Sequence, residues 1–383
     1  MPSPVAATVA IDVRHLGDFG YGTYIRNLVR TIAELERELQ FILVTRKAGP
    51  AELGELPPNF RYVEYNREDS ARWENLAFPW FVRQLGADLV HIPLNNVPVL
   101  MPKPYVVTIH DMSSIVFDAG DGAREGLHLW RFRRGLARAA KIIAVSSATK
   151  RDVMGLMNVP GEHVRVIYNA IDPGFQRSAG EGKPRSDVLD RYQVEAPYLL
   201  YAGSVRPQKN VARLVEAFAL LRQDLVDHPR FQNLRLVIIG DQISRYPALR
   251  RAVHQARVHD FVRFLGFLKK EELRVFYQSA EAFVFPSLYE GFGLPPLEAM
   301  ALGTPVVTSA VSSLPEVVGQ AAMIVKPENV FDIARGVREV LLDEKLRADL
   351  VARGLEQVKQ FSWEESARQV LETYREVLAA RSR

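Results

Sequence analysis

Residues 282–309 read Ala-Phe-Val-Phe-Pro-Ser-Leu-Tyr-Glu-Gly-Phe-Gly-Leu-Pro-Pro-Leu-Glu-Ala-Met-Ala-Leu-Gly-Thr-Pro-Val-Val-Thr-Ser. The stretch divides into a short buried strand (282–286), a loop punctuated by glycine (287–294), a helix opened by Pro295 and Pro296, and a second strand (305–309). In a parallel α/β sheet, a strand–loop–helix unit carries its loop and helix start to the crevice at the carboxyl ends of the strands, where such sheets bind ligands. The loop is therefore a candidate site. Gly291 and Gly293 flank Phe292, so the amides of Phe292, Gly293 and Leu294 can approach a ligand closely at the positive end of the helix dipole. Two carboxylates belong to the same unit, Glu290 in the loop and Glu298 in the first helical turn. A carboxylate accepts two hydroxyl hydrogen bonds at once, so it suits a polyol better than a phosphate. Amides on phosphate, one Glu on a sugar and the other on a ribose would make a coherent sugar-nucleotide site. The plainer reading leaves Glu298 as a helix N-terminal acid and Glu290 as a solvated loop residue.

Working outward, 383 residues exceed what one hydrophobic core usually serves, so two domains are expected. The 49 basic and 45 acidic residues leave a net charge of +4, too mild to imply nucleic acid. The chain has no cysteine, which excludes disulfides and any thiolate ligand or nucleophile. An apolar run from Val5 meets Asp12 and Arg14 and reads as a first strand rather than a signal peptide. No apolar segment approaches the roughly 18 residues that span a bilayer. A cytoplasmic protein is expected, with peripheral contact at the inner membrane face as an option.

Strand-like and helix-like segments alternate through both halves, which argues for mostly parallel, doubly wound sheets. The residues between the halves, 173–196, are rich in Gly, Pro and charge and read as a linker. Ser362-Trp-Glu-Glu365 has the form of a capping box, and Ala367, Val370, Leu371, Tyr374, Val377 and Leu378 mark one apolar face of a terminal helix.

Three other constellations bear on chemistry. Gly17-Asp-Phe-Gly-Tyr-Gly22 follows the first strand and opens a helix, so its amides could cradle a diphosphate, although a simple tight turn explains it as well. Tyr201-Ala-Gly-Ser-Val-Arg-Pro-Gln-Lys-Asn210 also joins a strand to a helix, and Lys209 there is a point charge suited to a leaving diphosphate, or a solvated turn lysine. A buried strand ends in His110-Asp111, with His91 at the end of the preceding strand; either histidine could instead be tied to structure. His254 and His259 lie five apart and do not share a helix face, so no metal site is expected. Over 124–141, Leu129, Phe132, Leu136 and Ala139 form one stripe, and Arg131, Arg134, Arg138 and Lys141 form another on the opposite side. That basic face reads as an exposed surface, open to anionic lipid headgroups or a polyprenyl diphosphate.

Glu290-Gly-Phe-Gly-Leu-Pro-Pro-Leu-Glu298, followed by Ala-Met-Ala-Leu-Gly-Thr-Pro-Val-Val, resembles the signature of the retaining GT-B glycosyltransferases of family 4 (group 1), and the resemblance extends more loosely over nearly the whole chain. It implies two Rossmann-like domains facing a cleft: an N-terminal acceptor domain (1–172) completed by a crossing C-terminal helix (363–383), a linker (173–196), and a C-terminal donor domain (197–362). It implies that Glu290 and His110 contact the donor sugar, and that Glu298 contacts the ribose. Lys209 with Gly20, Gly22, Phe292, Gly293 and Leu294 would serve the diphosphate. Ser204 stands where the family usually has arginine, and Arg206 two residues later is a possible substitute. The reaction implied is metal-independent transfer of a hexose with retention, without a cofactor, in which the nucleotide sugar is a substrate. Gly-Tyr-Gly-Thr-Tyr after the first strand and Tyr-Glu-Gly-Phe-Gly-Leu-Pro-Pro look most like mannosyltransferases of polysaccharide assembly, hence GDP-mannose before UDP-glucose, with a saccharide or lipid-linked acceptor. A nucleotide-sugar epimerase and a non-catalytic sugar-nucleotide-binding protein are the alternatives.

Overall fold

The computed structural model describes residues 6–18, 20–46, 51–67, 73–117, 123–176, 185–240 and 246–381. Phe19 of the glycine loop, 118–122 and 177–184 of the segment read as a linker lie outside them. Two compact units result, one formed by 1–170 with 362–383 and the other by 171–361.

The first unit is built on a seven-stranded parallel sheet: β1 (Thr8–Asp12), β2 (Gln40–Thr45), β3 (Phe60–Glu64), β4 (Leu89–Ile92), β5 (Tyr105–Ile109), β6 (Lys141–Ala144) and β7 (Val164–Val166), in the order β3-β2-β1-β4-β5-β6-β7. Its central strands are apolar on both faces because helices cover both. The helices are α1 (Tyr21–Leu35), α2 (Glu74–Gln84), α3 (Ser113–Val116), α4 (Ala123–Arg138) and α5 (Ser147–Met157). The chain runs outward from β1 to β3 and then returns through β4 to β7. Right-handed crossovers therefore put α1 on one face and α2, α4 and α5 on the other.

The second unit has a six-stranded parallel sheet: β8 (Tyr198–Ala202), β9 (Arg235–Ile239), β10 (Val262–Leu265), β11 (Ala282–Phe285), β12 (Val306–Ser309) and β13 (Met323–Val325), ordered β10-β9-β8-β11-β12-β13. Around it lie α6 (Arg185–Arg191), α7 (Val211–Asp224), α8 (Pro247–Gln255), α9 (Lys270–Ser279), α10 (Leu294–Ala301), α11 (Leu314–Val318), α12 (Val330–Leu342) and α13 (Glu344–Val358). The described part of 173–196 is not a free linker. Phe175 and Val188 are buried, Phe175 packs edge-on against Tyr277, and α6 lies on α9, because apolar side chains among its Gly, Pro and charged residues have a core to enter.

The last helix, α14 (Trp363–Arg381), packs on α1 in the first unit. Five of its six stripe residues are buried, and Leu378 is partly covered. The expected capping box forms only in half. Ser362 Oγ accepts from the Glu364 amide at 3.1 Å, while the Glu365 carboxylate accepts from the Gln369 side chain at 2.7 Å, one turn ahead. Ion pairs from Arg375 to Glu36 and from Arg381 to Asp88 fix the far end of the helix.

Candidate active site

In the second unit, β8 and β11 are neighbours, but the helix after β8 leads to one side of the sheet and the helix after β11 to the other. Their loops diverge at this switch point, which opens a crevice. Lys209 stands on the first loop and Glu290 on the second, and Lys209 Nζ meets Glu290 Oε1 at 2.6 Å. Ser287 Oγ donates to the same oxygen at 2.8 Å, so both bonds fall on Oε1 and Oε2 is left to another donor. Glu290 is only 8% exposed, so its charge depends on these partners.

The surrounding residues hold the two loops in register. Asn210 sits at φ 61°, and its amide donates to the carbonyls of Pro286 (3.0 Å) and Pro327 (2.7 Å). The Leu288 amide donates to the Gln208 carbonyl at 2.7 Å. Ser313 Oγ donates to the Glu290 carbonyl (3.0 Å) and the Phe292 carbonyl (2.7 Å), and Ser312 Oγ also donates to the Glu290 carbonyl (2.5 Å).

Gly293 takes φ 112° as it turns the loop into α10, a conformation costly for any other residue. Pro295 and Pro296 follow directly and have no N–H, so the donors at this helix end narrow to Gly293 and Leu294. The Phe292 ring is buried and packs edge-on against Phe361. Deeper in the unit, Glu298 accepts from Tyr277 Oη at 3.0 Å. Burial raises the Glu298 carboxyl to about 7; the Tyr277 bond and Lys270 oppose that rise, and Asp172 adds to it. Lys270 is itself paired with Asp172 at 2.7 Å. Ser204 is partly exposed, and its carbonyl accepts from Tyr201 Oη at 2.9 Å. Arg206 is exposed at the start of the turn that ends in Lys209.

In the first unit the switch point lies between β1 and β4. His110, at the end of β5, has edge-on contacts with the rings of Tyr21 (4.9 Å) and Tyr24 (4.7 Å). Its Nε2 lies 3.1 Å from the Pro93 carbonyl, and a carbonyl can only accept, so Nε2 carries the proton. Burial lowers its pKa to about 4, against the raising effect of Pro93 and Asp111; the ring is neutral at pH 7 and Nδ1 is an acceptor. Asn95 holds the 110–111 peptide from both sides, accepting from the His110 amide and donating to the Asp111 carbonyl, both at 2.9 Å. Asp111 Oδ1 accepts from the Ser113 amide (2.8 Å) and from Ser113 Oγ (2.6 Å) at the start of α3.

His91 differs from His110. It is fully buried, with a pKa lowered to about 3, and its nitrogens contact Tyr374 Oη (2.6 Å) and Thr108 Oγ1 (2.8 Å), so both are engaged inside the fold. Gly22 corrects an expectation. Its amide donates to the Asp18 carbonyl at 2.9 Å, and a Cβ there would lie 2.1 Å from the Leu16 carbonyl oxygen. The residue is glycine because the preceding turn leaves no room, and its N–H is not offered to a diphosphate. Gly20, at φ 86°, caps α1 beside open space.

Two family models match the chain, Glycosyltransferase Family 4 over residues 20–175 and Glycosyl transferases group 1 over 191–357. The O-antigen chain mannosyltransferase B of Escherichia coli is 34% identical over 306 residues, which cover 77% of this chain and 76% of that protein. The chain belongs to the group 1 glycosyltransferases. The serotype-specific mannosyltransferase WbdA of Escherichia coli is 32% identical over 293 residues, 76% of this chain but only 35% of that longer protein. Anabaena HepE, solved in complex with UDP-glucose, shares the fold at 17% identity with a TM-score of 0.74, over 96% of this chain and 99% of that one.

The glycosyltransferase thus brings Lys209, Glu290, Gly293 and Leu294 together at one switch point, with Glu298 one helical turn further along α10. Sequence reading missed the residues that position them: Ser287, Asn210, Ser312, Ser313, Tyr277 and the Asp172–Lys270 pair. Ser287 lies three residues before Glu290, and that spacing was a usable signal. Asn210 directly follows Lys209 in the quoted turn, and the others come from segments more distant in sequence, with no local pattern.

Proposed function

We propose that this glycosyltransferase moves a mannosyl group from GDP-mannose to an acceptor hydroxyl, with retention at the anomeric carbon, in glycan or lipid-linked saccharide assembly. The second unit is assigned the donor and the first unit the acceptor. The observation that carries the reading is the Lys209–Glu290–Ser287 cluster at the β8–β11 switch point, a buried carboxylate with one oxygen already bonded and a cation beside it. The two Escherichia coli mannosyltransferases, at 34% and 32% identity, support mannose.

Glu290 Oε2 would accept from a sugar hydroxyl. Lys209 Nζ and the amides of Gly293 and Leu294 would receive the diphosphate, and Glu298, in its ionised form, the ribose hydroxyls. Breaking the bond from C1 to the β-phosphate oxygen leaves negative charge on the departing GDP. A cation and oriented amides that strengthen their bonds as this charge develops lower the barrier. The acceptor oxygen bonds to C1 on the face the phosphate leaves, and its proton passes to the departing phosphate oxygen. Lys209 and the amides supply the positive charge, so turnover is expected to persist with chelator present. His110, a neutral acceptor at Nδ1, is assigned a sugar hydroxyl.

The test is turnover of GDP-mannose, UDP-glucose and ADP-glucose with a panel of saccharide acceptors, the product's anomeric configuration being read by NMR. An α-linked mannoside from GDP-mannose is expected. An inverted product would overturn the mechanism, and selective use of UDP-glucose would replace the donor.

A further inference from the structure

Five described residues other than glycine lie at positive φ: Asn158, Gln193, Asn210, Arg257 and Ser312. Asn158, Gln193 and Arg257 follow the last turns of α5, α6 and α8, where a left-handed residue commonly closes a helix. Asn210, beside Lys209, is of a residue type that tolerates this region. Ser312, at φ 55°, closes no helix and lies between β12 and α11. A serine held there is strained, and such strain persists only where surrounding contacts enforce it. The enforcing contact is its own hydroxyl, which donates to the Glu290 carbonyl at 2.5 Å.

The neighbouring Ser313 shows what that bond achieves. Ser313 is fully buried, and its Oγ lies 3.0 Å from the Glu290 carbonyl and 2.7 Å from the Phe292 carbonyl. A serine has one hydroxyl hydrogen, so Ser313 alone can satisfy only one of these two carbonyls fully. With Ser312 on the Glu290 carbonyl, the Ser313 hydrogen is left for the Phe292 carbonyl. In a trans peptide the C=O and the following N–H point in opposite directions. Fixing the Phe292 carbonyl against Ser313 therefore turns the Gly293 N–H away from the segment after β12. That amide has no acceptor among the described residues, and it is one of the two donors left at the start of α10.

We propose that Ser312 and Ser313 are positioning residues for the transfer reaction, a two-hydroxyl clamp that aims the Gly293 amide at the departing diphosphate and holds Glu290 beside Lys209. The proposal rests on the reading of Lys209 and Gly293 as the diphosphate site. Each serine acts through a backbone carbonyl of the Glu290 loop rather than on the substrate itself. A donor fixed before the reaction strengthens its bond as charge develops without reorganising, whereas one free to rotate must be ordered at the moment of reaction. The clamp also sets stability against turnover at residue 312. A glycine is relaxed at φ 55° but lacks the hydroxyl, while a threonine keeps the hydroxyl but is poorly suited to the left-handed region.

The test is steady-state turnover of the nucleotide sugar that the wild type uses, beside thermal unfolding, for S312G, S312A and S312T of the full chain. S312G should lower kcat about three- to tenfold, a fraction of the loss that follows outright removal of such a donor. Its KM for the nucleotide sugar should stay near the wild-type value, because the oriented amide acts mainly in the transition state. Its unfolding midpoint should lie above that of S312A, which lacks the hydroxyl and keeps the strain. S312T should keep most of the wild-type kcat at a lower midpoint than S312G, so turnover and stability move in opposite directions; a serine with a purely structural role would move them together. In an S313A background S312G should cost less kcat than in the wild type, since it acts through Ser313. The proposal is overturned if S312G turns over like the wild type, or if S312T loses as much kcat as S312G. Lys209→Ala separates the two levels: wild-type turnover in that variant removes the diphosphate site and the clamp with it, whereas loss there with none in S312G removes the clamp alone.

Discussion

The two units share a doubly wound parallel topology, and each has a buried ion pair at its switch point, yet the groups around that pair differ. In the second unit the crevice is lined with charge, a lysine paired to a carboxylate that is 8% exposed, beside two free-standing amides at a helix start. In the first unit the charge at the end of β1 is spent in the buried Arg14–Asp12–Glu74 ion pairs, the neighbouring strand ends in a neutral imidazole between tyrosine rings, and the glycine turn is closed on itself. Topology thus creates the crevice in both, while the loops decide which side chains and amides line it.

The comparison breaks most visibly at Lys209. Lys209→Ala should lower kcat about 10²–10³-fold, the usual loss when one preorganised donor to a developing anion is removed. Glu290→Ala should lose turnover to a similar degree while nucleotide binding persists. Both are read by steady-state kinetics with GDP-mannose. Equal loss of nucleotide binding in Glu290→Ala would place that carboxylate on the nucleotide rather than the sugar.

The next effect tests the closed turn of the first unit. Gly22→Ala drives a Cβ against the Leu16 carbonyl oxygen at 2.1 Å and should destabilise the protein by about 1–3 kcal/mol or more, measured by urea unfolding. If Gly22→Ala unfolds like the wild type, the turn is looser than its geometry indicates.

Much of this was legible from residues 282–309, because the strand, loop, helix and strand are contiguous and their glycines and prolines mark each boundary. Glu290 and Lys209 could be named in the same way, each standing in a loop that joins a strand to a helix. Gly22 was misread because a glycine needed for donor approach and one needed for lack of space look alike in sequence. The exposure of Leu129, Trp73, Trp80 and Trp130 was not legible, since an apolar residue at helical spacing normally signals a core and only burial separates core from surface. The Asp172–Lys270 pair that modulates Glu298 joins segments about 100 residues apart, and no local pattern announces it.

A smaller effect distinguishes the carboxylates from the imidazole by pH. Glu298 titrates near 7, and ribose hydroxyls bond best to the ionised form, so nucleotide affinity should rise between pH 6 and 8 and this slope should vanish in Glu298→Gln. Stability has the opposite sign. The folded pKa lies above the unfolded value of 4.5, so the native state holds the extra proton and is favoured at low pH; that advantage fades as pH rises through 7. Glu298→Gln should therefore gain thermal midpoint relative to wild type at pH 8 more than at pH 5. The smallest effect belongs to His110. With its pKa near 4 it is already neutral, so it should add no inflection to kcat between pH 6 and 9, whereas His110→Phe should lower kcat at every pH. An inflection near 6.5 that disappears in His110→Phe would show the imidazole to be solvated.

The most direct measurement is calorimetric titration of GDP, with chelator present, into the wild type and Lys209→Ala. A nucleoside diphosphate seated on Lys209, Gly293 and Leu294 predicts saturable binding to the wild type and at least about tenfold weaker binding to the variant, equivalent to about 1.4 kcal/mol. Equal affinity in the two proteins, or no binding of any nucleoside diphosphate to the wild type, would contradict the assignment of the β8–β11 switch point as the donor site.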